Sequence, residues 1–168
     1  QAYTLSLHDA LPISGDFNPA WLGLGVLAAG GGGGGGAAVA AATSTFSLNI
    51  AAAAGPVISA LNYRVETAAG VLVVSGTTSA TGTATSIAVP TQPAGTVLVI
   101  KLSDANGAVP DYKDEATNTN KNLGLELHAA FVSVGANGSA SITVSPVTEL
   151  AYRLAVRMAG GNAANVTT

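Results

Sequence analysis

Beyond residue 43, short runs of the chain alternate apolar with polar residues. Segment 46–50 alternates Phe, Leu and Ile with Ser and Asn, and segment 61–65 alternates Leu, Tyr and Val with Asn and Arg. A period of two places one side of a strand inward. Further runs recur at roughly ten-residue intervals between clusters of Gly, Pro, Asn and Ser, as in a sandwich, at 71–74, 83–89, 96–102, 123–134 and 139–144. The pattern predicts a mainly β domain over 43–145, an antiparallel β-sandwich of about seven strands.

The last two runs are separated by Gly-Ala-Asn-Gly at 135–138. Glycine readily adopts the positive φ that tight turns between strands require. The sequence therefore predicts that these two strands form a hairpin.

After the strands, the apolar period changes to that of a helix. Leu150, Leu154 and Met158 recur at four-residue intervals. Ser145 is suited to cap the first turn, and the glycine pair 160–161 is suited to end the last. We expect this apolar stripe to pack on the helix's own domain; the alternative is a face that binds a partner.

The beginning of the chain has a different origin in our interpretation. Residues 3–13 resemble the translation of a common sequencing-library adapter. We therefore expect residues 1–14 to be an artefact that takes no part in the fold. The adjacent pair His8 and Asp9 is expected to carry no chemistry for the same reason.

The remaining domain boundaries follow from composition. Residues 15–42 carry an apolar segment and seven consecutive glycines, which predict a flexible tether. The apolar part is shorter than the about 20 residues that a membrane span needs, so membrane contact is expected only through a lost or truncated export segment. The alternative is a low-complexity linker. The short C-terminal helix is expected over 146–160, followed by a truncated tail over 161–168.

Charge and cysteine content exclude several classes of function. Only 9% of the residues are charged, the formal net charge is −3, and there is no cysteine. The six Lys and Arg residues are scattered, so no basic patch for nucleic acid is predicted. Disulfides, cysteine zinc sites and thiol catalysis are excluded for the residues shown.

No catalytic or cofactor-binding residue is predicted, and we expect the protein not to be an enzyme. The chain has no Gly-x-Ser-x-Gly elbow, His-Glu-x-x-His helix or phosphate-binding loop. Outside residues 1–14, the only histidine is His128. Alternation places it with Glu126 on the outer side of a strand, with Leu125, Leu127 and Ala129 on the inner side. We interpret His128 as an outward strand residue that pairs with a neighbour.

Oxygen-bearing side chains form one candidate metal site, for Ca²⁺. Carboxylate and amide oxygens are the ligands that Ca²⁺ prefers. The candidates lie in and after one turn: Asp104, Asn106, Asp111, Asp114 and Glu115. The bidentate glutamate of a calcium loop is missing at the proper distance, and a solvated loop with tight turns explains the same residues.

Three segments together resemble carboxypeptidase-regulatory-like (transthyretin-like) domains, which are non-catalytic sandwiches of bacterial surface proteins. They are Pro-Val-Ile-Ser-Ala-Leu-Asn-Tyr-Arg-Val at 56–65, Thr-Thr-Ser-Ala-Thr-Gly at 77–82 and Pro-Ala-Gly-Thr-Val-Leu-Val at 93–99. The chain departs from that pattern because it lacks the usual Asp before Gly82 and the Gly-Tyr after the last strand.

The order of segments resembles the N-terminal regions of large bacterial adhesins and biofilm-associated proteins, in which a glycine run precedes an Ig-like domain. The segments 111–117 and 145–151 are similar to recurrent segments of those proteins. The resemblance implies an extracellular or cell-surface structural module. Its partners would be neighbouring β-domains of the same long chain and an unknown surface ligand. The alternative is a carbohydrate- or peptide-binding accessory domain of an exported enzyme.

Overall fold

The computed structural model describes residues 44–167. The predicted artefact and tether, residues 1–14 and 15–42, lie outside the described residues. A helix α1 (Pro146–Met158) and a short 3-10 turn (Ala163–Asn165) follow the strands. The strands of the described part are β1 (Thr45–Ala52), β2 (Leu61–Thr67), β3 (Leu72–Thr77), β4 (Thr83–Pro90), β5 (Val97–Asp104), β6 (Tyr112–Asp114), β7 (Thr119–Lys121), β8 (Leu127–Val132) and β9 (Ser139–Val144).

Seven of these strands form two sheets that enclose the core. One sheet has the order β3-β2-β5-β8 and is antiparallel throughout. The other has the order β4-β1-β9, and the remaining strands β6 and β7 pair with each other. The prediction of a mainly β sandwich with a short C-terminal helix is confirmed.

The alternating positions face the core as predicted. Phe46, Leu48 and Ile50 of β1 are at most 1% exposed, and the inward residues of β2 are also buried. The Phe46 ring meets the Phe131 ring edge to face, with ring centroids 6.4 Å apart. The core is therefore made by the inner faces of both sheets, because each sheet can bury its apolar side only against the other.

The predicted hairpin between β8 and β9 is wrong, since the two strands belong to different sheets. β8 pairs with β5, whereas β9 lies parallel to β1. The turn at 135–138 hydrogen-bonds to β1 instead: Ser47 N–H donates to the Gly138 carbonyl at 2.9 Å, and Asn137 N–H donates to the Thr45 carbonyl at 2.9 Å. Asn137 adopts the positive φ, at 60°. The turn thus carries the chain from one sheet to the other.

The polar segment after β5 also differs from the expected loop. It forms the ribbon of β6 and β7, and Tyr112 makes an isolated bridge to Val57. These two short strands explain why the structure has nine strands rather than about seven. Their residues are polar on both sides, so hydrophobic alternation carries no signal for them.

The helix begins as predicted but presents the opposite face to the domain. The Ser145 hydroxyl accepts from Thr148 N–H at 3.3 Å, and the Thr148 hydroxyl accepts from Ser145 N–H at 2.8 Å, which completes a capping box. Leu150, Leu154 and Met158 are exposed rather than packed on the sandwich. The side of the helix that contacts β8 instead carries the buried Glu149.

Candidate functional site

Charged side chains gather on the outer face of the four-stranded sheet. The strand register places Arg64 opposite Lys101, and Lys101 opposite His128. These three side chains form one row across β2, β5 and β8, because residues directly opposite on neighbouring strands share a face. Glu66 lies on the same face, two residues after Arg64.

Glu66 is the buried centre of one half of this cluster. The residue is 2% exposed, and its carboxylate oxygens lie 2.5 Å from an Arg64 guanidinium nitrogen and 2.8 Å from Lys101 Nζ. The oxygen facing Arg64 makes no well-aligned hydrogen bond despite this short distance. A buried carboxylate is tolerated only when opposite charge offsets its lost hydration. The two cations therefore hold Glu66 in place and are in turn fixed by it.

The other half of the cluster joins the helix to β8 through Glu149. His128 N–H donates to Glu149 Oε2 at 2.7 Å, and His128 Nδ1 lies 2.7 Å from the same oxygen. Arg153 Nε donates to Glu149 Oε1 from the next turn of the helix. Burial acts to raise the pKa of the Glu149 carboxyl, but the hydrogen bonds from Arg153 and His128 outweigh it and lower this pKa below its usual value.

His128 is held on three sides. The Tyr152 ring stacks on the imidazole with ring centroids 4.7 Å apart, and Glu126 Oε2 lies 3.8 Å from Nε2. The predicted outward orientation and pairing of His128 agree with this arrangement, and Leu127 is buried on the inner side. Leu125 is exposed, unlike its prediction, because β8 begins only at residue 127. Within residues 44–167, no hydroxyl group hydrogen-bonds to the imidazole, so the arrangement lacks the nucleophile of a triad.

Glu149 also protects the edge of a sheet. β8 is the outermost strand of its sheet, and outermost strands expose N–H groups that can pair with another chain. The Glu149 carboxylate accepts the His128 N–H that would otherwise face outward. The helix therefore acts as a cover fastened to β8 by a buried ionic contact.

A polar recess of about 250 Å³ lies between the two halves of the cluster. Glu66, Lys101 and Tyr152 line it, together with the turn at 67–70 and the segment 162–164. Val99, which the register places on this outer face, is only 2% exposed. The chain after the helix thus covers the middle of the sheet.

The candidate Ca²⁺ ligands of the first turn are engaged in local hydrogen bonds. Asp104 Oδ1 accepts the N–H groups of Asn106 and Gly107, both at 2.8 Å, and Asn106 Oδ1 accepts from Val109 N–H at 2.9 Å. The hydrogen bonds from Gly107 and Asn106 lower the pKa of Asp104. These contacts are those of a tight turn stabilised by side chains.

Asp111 is separated from this turn by its burial. It is 1% exposed, and it accepts hydrogen bonds from the Ser59 hydroxyl at 3.0 Å and from Leu123 N–H at 2.7 Å. These bonds tie the ends of the β6–β7 ribbon to the sandwich. Asp111 therefore has a structural role that alternation did not indicate.

The last two candidates lie in the ribbon. Asp114 is 2.9 Å from Lys121 Nζ and accepts from the Thr117 hydroxyl at 2.7 Å; these contacts lower its pKa to about 2. Glu115 is exposed. Among residues 44–167, no group of three or more acidic or histidine side chains is arranged to hold a metal ion. Thermal denaturation with and without Ca²⁺ distinguishes the two hypotheses for these residues, a calcium site and a solvated loop.

Comparison with known proteins found no relative of this chain. No family model matches the chain, and neither a curated protein sequence nor a solved structure shows significant similarity to it. No helix in the described part of the chain is long and apolar enough to cross a membrane.

Proposed function

We propose that this protein is a non-catalytic structural or adhesive module of an exported bacterial surface protein, displayed outside the cell. The observation that carries the proposal is the set of contacts that His128 makes. Its Nδ1 lies against Glu149 and its ring stacks on Tyr152, which joins the helix to β8, and within residues 44–167 no hydroxyl group hydrogen-bonds to the ring for it to activate. These contacts hold the helix against β8 and indicate a structural role for His128.

The sheet β4-β1-β9 supports the same role. None of its three strands contains a charged residue. Its outward positions are mostly Ser, Thr, Asn and Ala, so the sheet presents an uncharged polar surface to its surroundings. This favours neighbouring β-domains and a neutral surface ligand as partners. Arg64 and Lys101 on the other sheet are paired with Glu66, which disfavours nucleic acid.

A carbohydrate- or peptide-binding accessory domain is the second candidate, and one observation favours it. A shallow trough of about 190 Å³ runs along the neutral sheet. Exposed hydroxyls of Thr83 and Thr85 on one side and of Ser141 and Thr143 on the other line this trough. The aromatic side chains on which sugars stack are not offered here, since every aromatic residue within 44–167 is buried or half-buried. We therefore keep the structural module as the first proposal.

Surface display tests the choice. The full chain would be anchored on a non-adherent bacterium, and attachment under flow would be measured on bare, protein-coated and neutral polysaccharide-coated surfaces. The matched control is Leu48→Asp, which places a charge in the core and removes the fold. Attachment that needs the folded chain supports the module. Attachment to polysaccharide alone favours the accessory domain.

Catalysis is tested on the same protein in solution. Purified chain would be incubated with a panel of ester, glycoside and peptide substrates. We expect no turnover above that of the Leu48→Asp control. Turnover by the purified wild-type chain above that of this control would reject the proposal.

A further inference from the structure

The outer face of α1 carries a stripe of exposed apolar side chains. Val147, Leu150, Leu154 and Met158 are 75%, 69%, 55% and 81% exposed, respectively. They follow one another at intervals of three and four residues, so they form a single stripe along the helix. Large apolar side chains in one contiguous patch indicate an interaction surface rather than ordinary surface variation.

A recess beside the stripe completes this surface. It has a volume of about 300 Å³ and lies between the helix and the sandwich. Alanines line most of it, from β8 (Ala129 and Ala130) and from the helix (Ala151 and Ala155), and Ile142 contributes from β9. Ala151 is itself exposed and adjoins the stripe. Projecting leucines next to an apolar hollow form a ridge and a groove.

The shape of this surface favours a helix as its occupant. Helices pack by inserting the ridge of one into the groove of the other, and ridges arise from residues three or four apart. A strand would need free backbone N–H and C=O groups to pair with. The backbone groups of α1 are paired within the helix, so the stripe offers a strand nothing to pair with.

The charges on α1 indicate which side chains should border the apolar face of a bound helix. The only acidic residue of α1, Glu149, is buried against β8, whereas Arg153 and Arg157 are exposed. Because Arg153 pairs with Glu149, Arg157 is the charged side chain of the helix that has no acidic partner within the described residues. Arg157 would attract an acidic side chain on a bound helix, and a second copy of α1 offers none on its exposed surface, since its only acidic residue is buried against β8.

We propose that the stripe and recess of α1 bind an amphipathic α-helix whose apolar face is flanked by acidic side chains. This deepens the proposed function, on which it rests, because it states the chemistry of one contact that the module makes with a neighbouring module.

Synthetic helical peptides test this proposal on the full chain. Three probes would be used: an apolar stripe with Glu flanks, the same stripe with Lys flanks, and a Glu-flanked peptide with its apolar residues scrambled. Fluorescence anisotropy gives their affinities. We expect the Glu-flanked stripe to bind at least about tenfold more tightly than either other probe, a difference typical of favourable charge and shape together.

Variants locate the binding. Leu150→Gln and Leu154→Gln should each weaken the Glu-flanked probe about tenfold, because each removes a central apolar contact. Arg157→Glu should reverse the preference between the Glu-flanked and Lys-flanked probes. The matched control is Val71→Gln, at an apolar residue that is 62% exposed elsewhere on the sandwich, and it should leave affinity unchanged. Circular dichroism confirms that all variants are folded.

Three results would overturn the proposal. They are absence of binding by the Glu-flanked probe, equal binding of all three probes, and concentration-dependent self-association that Leu154→Gln abolishes. The last result would assign the surface to a second copy. Loss of attachment in the display experiment with intact peptide binding would instead reject the proposed function alone.

Discussion

Replacing Glu149 by Gln should loosen the helix from the sandwich. Gln has nearly the same size but carries no charge, and its amide NH₂ would face the donors of Arg153 or His128. Hydrogen bonds to charged groups contribute about 1.5 to 3 kcal/mol each, and a leftover amide bond recovers part of this. We therefore expect the free energy of unfolding to fall by about 2 kcal/mol, which lowers the melting temperature by about 8 °C in a domain of this size.

The pH dependence of this loss gives a second measurement. Because the pKa of Glu149 is lowered in the folded protein, its carboxylate stabilises the fold above the pKa it has when unfolded. That stabilisation disappears as the pH falls through the lower, folded pKa. The difference in melting temperature between wild type and Glu149→Gln should therefore be full at pH 7 and shrink below about pH 4.

Glu115→Gln is the matched control, since Glu115 is exposed. It should change the free energy of unfolding by less than about 0.5 kcal/mol. Calorimetry or far-ultraviolet circular dichroism provides the melting temperatures. If Glu149→Gln were as stable as this control at pH 7, the claim that Glu149 fastens the helix would be refuted.

Three further predictions concern the sandwich and its turns. Gly76→Ala should lower the free energy of unfolding by more than about 1 kcal/mol, because the new Cβ would lie 2.5 Å from the Tyr63 hydroxyl oxygen; a neutral result in urea denaturation would contradict the close packing described. Asp111→Ala should cost about 2 to 3 kcal/mol, since it leaves the donors of Ser59 and Leu123 without their acceptor; a loss below about 0.5 kcal/mol would show that water replaces the carboxylate. Millimolar Ca²⁺ should leave the melting temperature unchanged, because four of the five candidate side chains already accept protein hydrogen bonds; a rise that chelator reverses would establish a calcium site.

Local alternation was sufficient to predict the inner face of the first strands. Phe46, Leu48 and Ile50 obey it because one side of β1 faces the core and the other does not. The pairing of β9 with β1 could not be predicted in this way. It joins residues more than ninety positions apart, and it depends on how two sheets stack rather than on any nearby pattern.

The contacts of the candidate site were also only partly predictable from the sequence. The spacing of Glu149 and Arg153 predicts their contact, because residues four apart on a helix are neighbours. The contact of Glu149 with His128 depends on how the helix is rotated against β8, which spacing does not determine. The apolar stripe predicted the helix correctly but indicated the wrong contact surface. An apolar stripe indicates that a surface is suited to burial, but it does not identify the element or partner that buries it.

The most direct test of the proposed role is the DNA on both sides of this coding segment, read without interruption from its source. We expect the reading frame to continue into repeated β-domains, to carry an export signal and to contain no adapter-like peptide. A frame that instead joins this sandwich to a catalytic domain would contradict the adhesive module and make the sandwich an accessory domain of an enzyme.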